Sequence, residues 1–255
     1  MSLGSDDACA VQIALHGGGF LLAHRRRVPR SNGEPVDVAA NRVITDLLRA
    51  VRPKDAVLSE EMAPCEDRLS AERVWIIDPL DGSREYGEAD RTDWAVHVAL
   101  WESGRLTAGA VALPARGQVW STADRPIAHP DRPIRCIAVS RSRPPSWAEG
   151  VADHLGADLV PMGSAGAKTV ATLTGEVDAY IHGGGQYEWD SAAPAVVAVH
   201  HGLHASRADG SSLIYNQRSP WLPDLVICRR EQAAGLLAAI EGAMAGEQMP
   251  KECVS

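Results

Sequence analysis

Residues 94 to 101, WAVHVALW, are apolar at nearly every position. On a strand, Trp94, Val96, Val98 and Leu100 would point to one side and Ala95, His97, Ala99 and Trp101 to the other. A strand of this kind needs cover on both faces, which calls for a sheet sandwiched between further layers. The neighbouring segments can supply those layers. Residues 8 to 25 and Val38 to Val51 carry apolar residues at helical spacing, and the first reads as one helix although Gly17, Gly18 and Gly19 interrupt the pattern and leave room for a kink. Ala56 to Leu58, Val74 to Ile77, Leu106 to Leu113 and Gln118 to Ser121 read as strands. Residues 30 to 35, RSNGEP, read as a loop.

The stretch DRPIAHPDRP, residues 124 to 133, holds three prolines and marks a seam. The expectation is a single domain over 1–255, with one subdomain over 1–124 and a second over 134–255. Beyond the seam, strands are expected at Ile134 to Val139, Val177 to His182 and Leu225 to Cys228. Helices are expected at Pro144 to Leu155, Ala165 to Thr174, Asp190 to His201 and Gln232 to Ala243. The overall reading is α/β.

At 255 residues and 45% hydrophobic, the chain can bury a large core. It carries 33 acidic residues against 25 basic ones, a net charge of −8, which argues against a nucleic-acid partner. No window approaches about 18 uninterrupted apolar residues, and the N-terminus has acids where a signal peptide would be basic, so no membrane partner and a cytoplasmic location are expected. The five cysteines are scattered without a C-x-x-C pair, as reduced thiols would be.

Acids gather at the ends of the expected strands, where open α/β sheets collect ligands. Glu60 and Glu61 close one strand, Asp78 and Asp81 flank Pro79 after another, and Asp190, a candidate N-cap, opens a helix. Each segment alone is an ordinary turn or cap. Together they point to a hard-cation site, because Mg²⁺ demands several oxygens in a fixed octahedron while leaving positions for phosphate. Gly82 and Ser83, if they start a helix, would add N–H groups aimed at an anion.

At these residues the chain resembles the inositol monophosphatase superfamily of Mg²⁺-dependent, lithium-sensitive phosphatases. Asp78-Pro79-Leu80-Asp81-Gly82-Ser83 is similar to its D-P-I-D-G-T signature, Trp189-Asp190-Ser191-Ala192-Ala193 to its W-D-x-A-A, and Ser59-Glu60-Glu61 to its G-E-E. Asp37 precedes Glu60 at the distance of the family's water-activating aspartate. The resemblance implies a layered αβαβα sandwich of the inositol monophosphatase/fructose-1,6-bisphosphatase type, two or three Mg²⁺ ions and a small phosphorylated substrate; a homodimer is compatible with it. It also implies roles. Glu60, Asp78 and the carbonyl of Leu80 would hold one ion, and Asp78, Asp81 and Asp190 a second. Ser83 and Asp37 would position the attacking water, and the amides of Gly82 and Ser83 would hold the phosphate. The chain departs from the pattern in having Ser83 for threonine and Ser59 for glycine.

Three further features bear on the substrate. Residues 163 to 169 approach a Walker A loop but lack its spacing, so a P-loop is rejected. His200 and His204 have the spacing of a helical zinc pair, but Gly202 lies between them and no third ligand is evident. His97 reads as a core histidine. Within the resemblance, Gly183 stands where inositol-specific members have a sugar-binding glutamate. Gly163-Ser164-Ala165-Gly166-Ala167-Lys168 and Arg141-Ser142 are similar to elements of the CysQ-like 3′(2′),5′-bisphosphate nucleotidases of sulfate assimilation. Ser164, Gly166, Lys168 and Arg141 are therefore candidates for the uncleaved phosphate, Lys168 as a counter-charge. An inositol or fructose bisphosphate phosphatase, or a phosphate- and Mg²⁺-binding module without turnover, are the other readings.

Overall fold

The computed structural model describes residues 4–27, 34–63 and 65–247. The loop expected at 30–33 and the thiol of Cys253 lie outside the described residues. The first half runs α1 (Asp6–Arg27), α2 (Val36–Val51), β1 (Ala56–Ser59), β2 (Arg73–Asp81), α3 (Ser83–Gly87), β3 (Ala95–Glu102), β4 (Arg105–Leu113) and β5 (Gln118–Ser121). The second runs β6 (Cys136–Ser140), α4 (Ala148–Leu155), β7 (Asp158–Met162), α5 (Ala165–Thr174), β8 (Ala179–Tyr187), α6 (Glu188–His200), β9 (Leu203–Ser206), β10 (Trp221–Arg229) and α7 (Ala233–Glu247).

The strands form two five-stranded sheets, in the orders β1-β2-β3-β4-β5 and β7-β6-β8-β10-β9. In the first, β1 is parallel to β2 and the rest is an antiparallel meander. In the second, β6 is parallel to β7 and β8, and β10 is antiparallel to β8 and β9. All strands of the first sheet precede residues 124–133, and all strands of the second follow them.

Alternation along each strand builds the layers. Trp75 and Ile77 of β2, with Val96, Val98 and Leu100 of β3, pack against Ile13, Leu21, Ile44 and Leu48 of α1 and α2. Val74, Ile76, Ala95 and Ala99 face the opposite way, onto Ala167, Val170, Ala192 and Ala193 of α5 and α6, which also cover Tyr180, Leu225 and Ile227 of the second sheet. The outer face of that sheet, Ile137, Ile181 and Val226, meets Val151 of α4 and Leu236 and Ile240 of α7. The order is therefore helix, sheet, helix, sheet, helix, as the two apolar faces of residues 94–101 require.

The glycines of α1 do not interrupt it. A Cβ at Gly17 would sit 2.7 Å from Ile44 Cδ1, so the residue lets α1 and α2 approach closely. Other expectations need correction. β2 does not end at Ile77 but continues through Asp78, Pro79 and Leu80 to Asp81, so the acids lie on an irregular strand end and not on a turn. The helix expected from Pro144 starts only at Ala148, after two consecutive prolines. β7 and β9 are additional strands. β7 contains Pro161, which suits an edge strand bonded on one side alone. β8 runs on through Gly183, Gly184 and Gly185 to Tyr187. Cys9, Cys65, Cys136 and Cys228 are free thiols. No described helix is long and apolar enough to cross a membrane.

The chain after the seam is anchored by Asp178, next to β8. One carboxylate oxygen accepts the N–H groups of Arg135 and Cys136 at 2.8 and 3.0 Å, and the other meets Arg229 Nη2 at 2.7 Å and Arg132 Nε at 2.9 Å. These donors outweigh burial and hold its pKa below the ordinary carboxylate value. Arg229 is almost fully buried, so Asp178→Ala strands a guanidinium without its charge partner. The expected cost is roughly 3–5 kcal/mol of unfolding free energy, measurable by urea denaturation at pH 7.

Candidate active site

Three elements bring the acids together. Parallel pairing of β1 with β2 sets Ser59 beside Ile77, and the next amide, Glu60 N–H, bonds the Ile77 carbonyl at 3.3 Å. Across from β3, the register passes from Asp78↔His97 directly to Asp81↔Ala95, so Pro79 and Leu80 form a bulge. Proline cannot donate to a ladder, and the bulge accommodates it while re-aiming the flanking side chains. Asp190 comes from the first turn of α6. It is not the N-cap: Tyr187 is, and the Asp190 carboxylate accepts the Tyr187 N–H at 2.6 Å. Asp78, Asp81 and Asp190 each place a carboxylate oxygen within 4.8 Å of the others. Ser59, which stands where the resemblance has glycine, donates its hydroxyl to Asn41 Oδ1 at 2.8 Å and fastens the end of β1 to α2.

The crowding shows in the acidities. Burial, then the charge of Asp190, raises Glu60 to about 7, although a hydrogen bond with Asp78 works against the rise. Asp190 is raised to about 6 by burial and by Asp81. Asp78, fully buried, is pushed well above the ordinary carboxylate value by desolvation and its three acidic neighbours. Its Oδ1 accepts the Leu80 N–H at 2.9 Å.

Asp81 goes the other way. Burial would raise it, but His97, Lys168 and Ser164 hold it down at about 2. Its Oδ2 accepts the Ser164 hydroxyl and the Gly166 N–H, the latter at 3.0 Å, and lies 3.2 Å from His97 Nε2. One oxygen is thus saturated by protein donors while the other is left to a ligand. The same three donors explain local sequence choices. Ser164 takes φ 42°, a left-handed conformation unfavourable for a residue with a side chain. Its hydroxyl offsets this by serving two partners, donating to Asp81 and accepting the Ala167 N–H at 3.0 Å as the cap of α5. Gly166 has no room for a Cβ, which would fall 2.3 Å from His97 Nε2.

These contacts revise several expectations. The Ser164 hydroxyl and the Gly166 N–H, candidates for the uncleaved phosphate, are both engaged by Asp81. His97 is fully buried as expected of a core residue, but it braces an acid of the site, and its Nδ1 bonds the Trp189 carbonyl at 3.2 Å. The sequence carries no signal for this, since β3 pairing alone puts His97 opposite Asp78. Lys168 is buried; its ammonium donates to the carbonyls of Gly163 and Ser164 at 3.0 and 2.8 Å and sits over the Tyr180 ring. Burial lowers it to about 8, against the pull of Asp81 and other acids. Arg141 is likewise engaged, with Glu85 at 2.6 Å and with Glu88. His200 and His204 bond Asp124 and Ser206 on separate elements and form no metal pair.

Glu60, Asp78, Leu80, Asp81 and Asp190 form one wall of a cavity of about 440 Å³, and Gly82 and Ser83 continue that wall. Lys168 and Arg141 line it, as do Arg84, Arg143, His182, Tyr187 and Trp221, which the sequence reading did not single out. Arg84 and Arg143 are exposed and form no ion pair among the described residues. Asp37 stands apart. It lies in the first turn of α2, its Oδ1 accepts the Val38 N–H at 2.9 Å, and it is not among the cavity-lining residues; burial, and then the charge of Asp37, raises Glu61. The donor set is oxygen throughout, and three of its four carboxylates resist ionisation together. Both features fit a hard divalent cation, whose charge would relieve the repulsion.

The profile of the inositol monophosphatase family matches residues 27–245. A 3′-phosphoadenosine 5′-phosphate phosphatase of Mycobacterium leprae is 49% identical, over 92% of this chain and 93% of its own. The 3′(2′),5′-bisphosphate nucleotidase CysQ of Salmonella typhimurium is 28% identical over 82% of this chain and 90% of its own. Among solved structures, CysQ from Bacteroides thetaiotaomicron superposes with a TM-score of 0.75 at 21% identity, covering 88% of this chain and 97% of its own, a likeness of fold.

The raised acids set a pH dependence. An acid whose folded pKa lies above its unfolded value stabilises the fold at low pH and loses that contribution as pH rises through the folded value. Without divalent metal, the melting temperature should therefore fall as pH rises from about 4, where the unfolded acids ionise, and level off above about 6 and about 7, where Asp190 and Glu60 ionise in the folded protein. Mg²⁺ binds the ionised form, so the gap between melting curves with Mg²⁺ and with chelator should widen over the same range. A gap independent of pH would contradict the acid assignment.

Proposed function

The chain belongs to the inositol monophosphatase family, and we propose that it removes the 3′-phosphate of adenosine 3′,5′-bisphosphate, releasing adenosine 5′-monophosphate and inorganic phosphate. It is a phosphatase whose acidic cluster suits a metal ion. The observation that carries the substrate is the mixed charge of one cavity, which is lined both by the carboxylates Glu60, Asp78, Asp81 and Asp190 and by Arg84 and Arg143, which form no ion pair among the described residues. A substrate with one phosphate to cleave and another to hold matches that division. The relatives named for this activity support the same reading. Gly183 supports it from the other side. A side chain there would start 3.1 Å from Trp147 and 3.2 Å from Pro145, so an acid for sugar hydroxyls would have to displace both by a few tenths of an ångström.

In this reading Glu60, Asp78 and the Leu80 carbonyl hold one Mg²⁺, and Asp78, Asp81 and Asp190 a second. When bound, Mg²⁺ supplies charge neutralisation at the phosphoryl group and acidifies water. The acids would fix the ions in place, and the phosphate would rest on those ions and on the amides of Gly82 and Ser83. Ser83 Oγ would align water opposite the leaving oxygen, and Asp37, which does not line the cavity, would accept its proton through an intervening water. The new P–O bond forms as the bond to the ribose 3′-oxygen breaks; that oxygen takes the electron pair and is protonated from solvent.

The cations divide by role. Lys168 holds the turn at Gly163 and Ser164, which in turn holds Asp81, so it acts on the catalytic acids. Arg143 is free to meet the retained phosphate.

The decisive measurement is phosphate release from adenosine 3′,5′-bisphosphate, inositol 1-phosphate and fructose 1,6-bisphosphate, with and without Mg²⁺. The nucleotide should be preferred and turnover should require the metal; preference for inositol phosphate would overturn the reading. Asp190→Asn should keep the fold and lose most turnover at saturating Mg²⁺, with lithium and calcium inhibiting the unaltered enzyme. Arg143→Ala should lower kcat/KM for the bisphosphate about ten- to hundredfold, and far less for a single-phosphate substrate. Lys168→Ala should lower both alike; selective loss on the bisphosphate would return the phosphate role to Lys168.

A further inference from the structure

We infer that Trp221, with the cross-strand residue Tyr187 beside it, is the platform on which the base of a nucleotide substrate stacks. This rests on the nucleotide reading above and names the part of the cavity that distinguishes a nucleotide from a sugar phosphate. Trp221 opens β10 directly opposite Tyr187 of β8, so both side chains stand on one face of the second sheet. Both line the cavity that holds the acids. Both are also unusually exposed for large aromatic residues, Trp221 at 51% and Tyr187 at 46%.

The two rings differ in what they already touch. Tyr187 stacks on Trp189 with centroids 4.8 Å apart and an angle of 12°, which fixes one of its faces. Trp221 makes no ring contact among the described aromatic residues, so its indole is available to a planar ligand. Its position is built for the purpose. Gly185, with φ 97°, lies under the indole, and a Cβ there would fall 2.6 Å from Trp221 Nε1. The strand backbone thus seats one edge of the ring where any larger residue would push it away.

Apolar area left in water is a cost to the free protein, which burial by a ligand recovers. A base is the ligand that uses a flat π-surface beside a phosphate-binding region. Aromatic stacking on a base is sequence-tolerant, so a pyrimidine nucleotide should also bind, more weakly for its smaller area.

Replacing the aromatic partner of a base typically weakens binding about 5- to 100-fold. The test measures kcat and KM for Trp221→Ala and Trp221→Phe on adenosine 3′,5′-bisphosphate and on inositol 1-phosphate, together with calorimetric binding of adenosine 5′-monophosphate in Ca²⁺. The ratio of kcat/KM, nucleotide over inositol phosphate, should drop at least fivefold in the alanine variant through KM, and the phenylalanine variant should recover most of it. Adenosine monophosphate binding should weaken in parallel. An unchanged ratio together with unchanged monophosphate affinity overturns the platform. If wild-type enzyme ignores the bisphosphate while Trp221→Ala still weakens monophosphate binding, the substrate assignment fails and the platform stands.

Discussion

Four carboxylates, Asp78 buried and the other three at least partly open to water, line one cavity, and like charges so placed repel each other. Glu60, Asp78 and Asp190 respond by holding their protons more tightly, while Asp81 stays ionised because His97, Lys168 and Ser164 surround it. This uneven division is the constraint on which the site depends. His97, Lys168 and Ser164 thus set Asp81 apart from the three acids that burial and mutual repulsion push up.

The layered fold makes that arrangement stable. Acids from β1, β2 and α6 converge because α5 and α6 fill the space between two sheets, and their N-terminal ends lie against the bulged end of β2. The bracing groups of Asp81 come from both halves of the chain: His97 from the first sheet, Ser164 and Gly166 from the start of α5. Charge and packing are coupled at this point, since the residue that must be glycine for steric reasons is also the one whose N–H reaches the carboxylate.

The remainder of the cavity works by a separate logic. Arg141 and Lys168 are consumed by internal partners, which leaves Arg84, Arg143 and Trp221 as the groups whose interactions are incomplete in the free protein. Groups left open in this way are available for recognition.

What the sequence determined by itself was the local chemistry. Asp78 to Ser83 is contiguous, so its crowding of acids, proline and glycine could be read directly, and the two apolar faces of residues 94–101 already required a layered α/β architecture. Helix α5 and strand β5 were legible to the residue, because their periodicity and flanking turn residues agree. Tertiary structure alone decided which partner each polar group would take. That Lys168 turns inward to its own loop, that Arg141 pairs with Glu85, and that His97 meets Asp81 depend on strand register and on helices packed from distant parts of the chain. A charged side chain carries no mark of its partner in its own neighbourhood; burial and approach distance assign it, and both exist only once the two sheets have closed on α5 and α6.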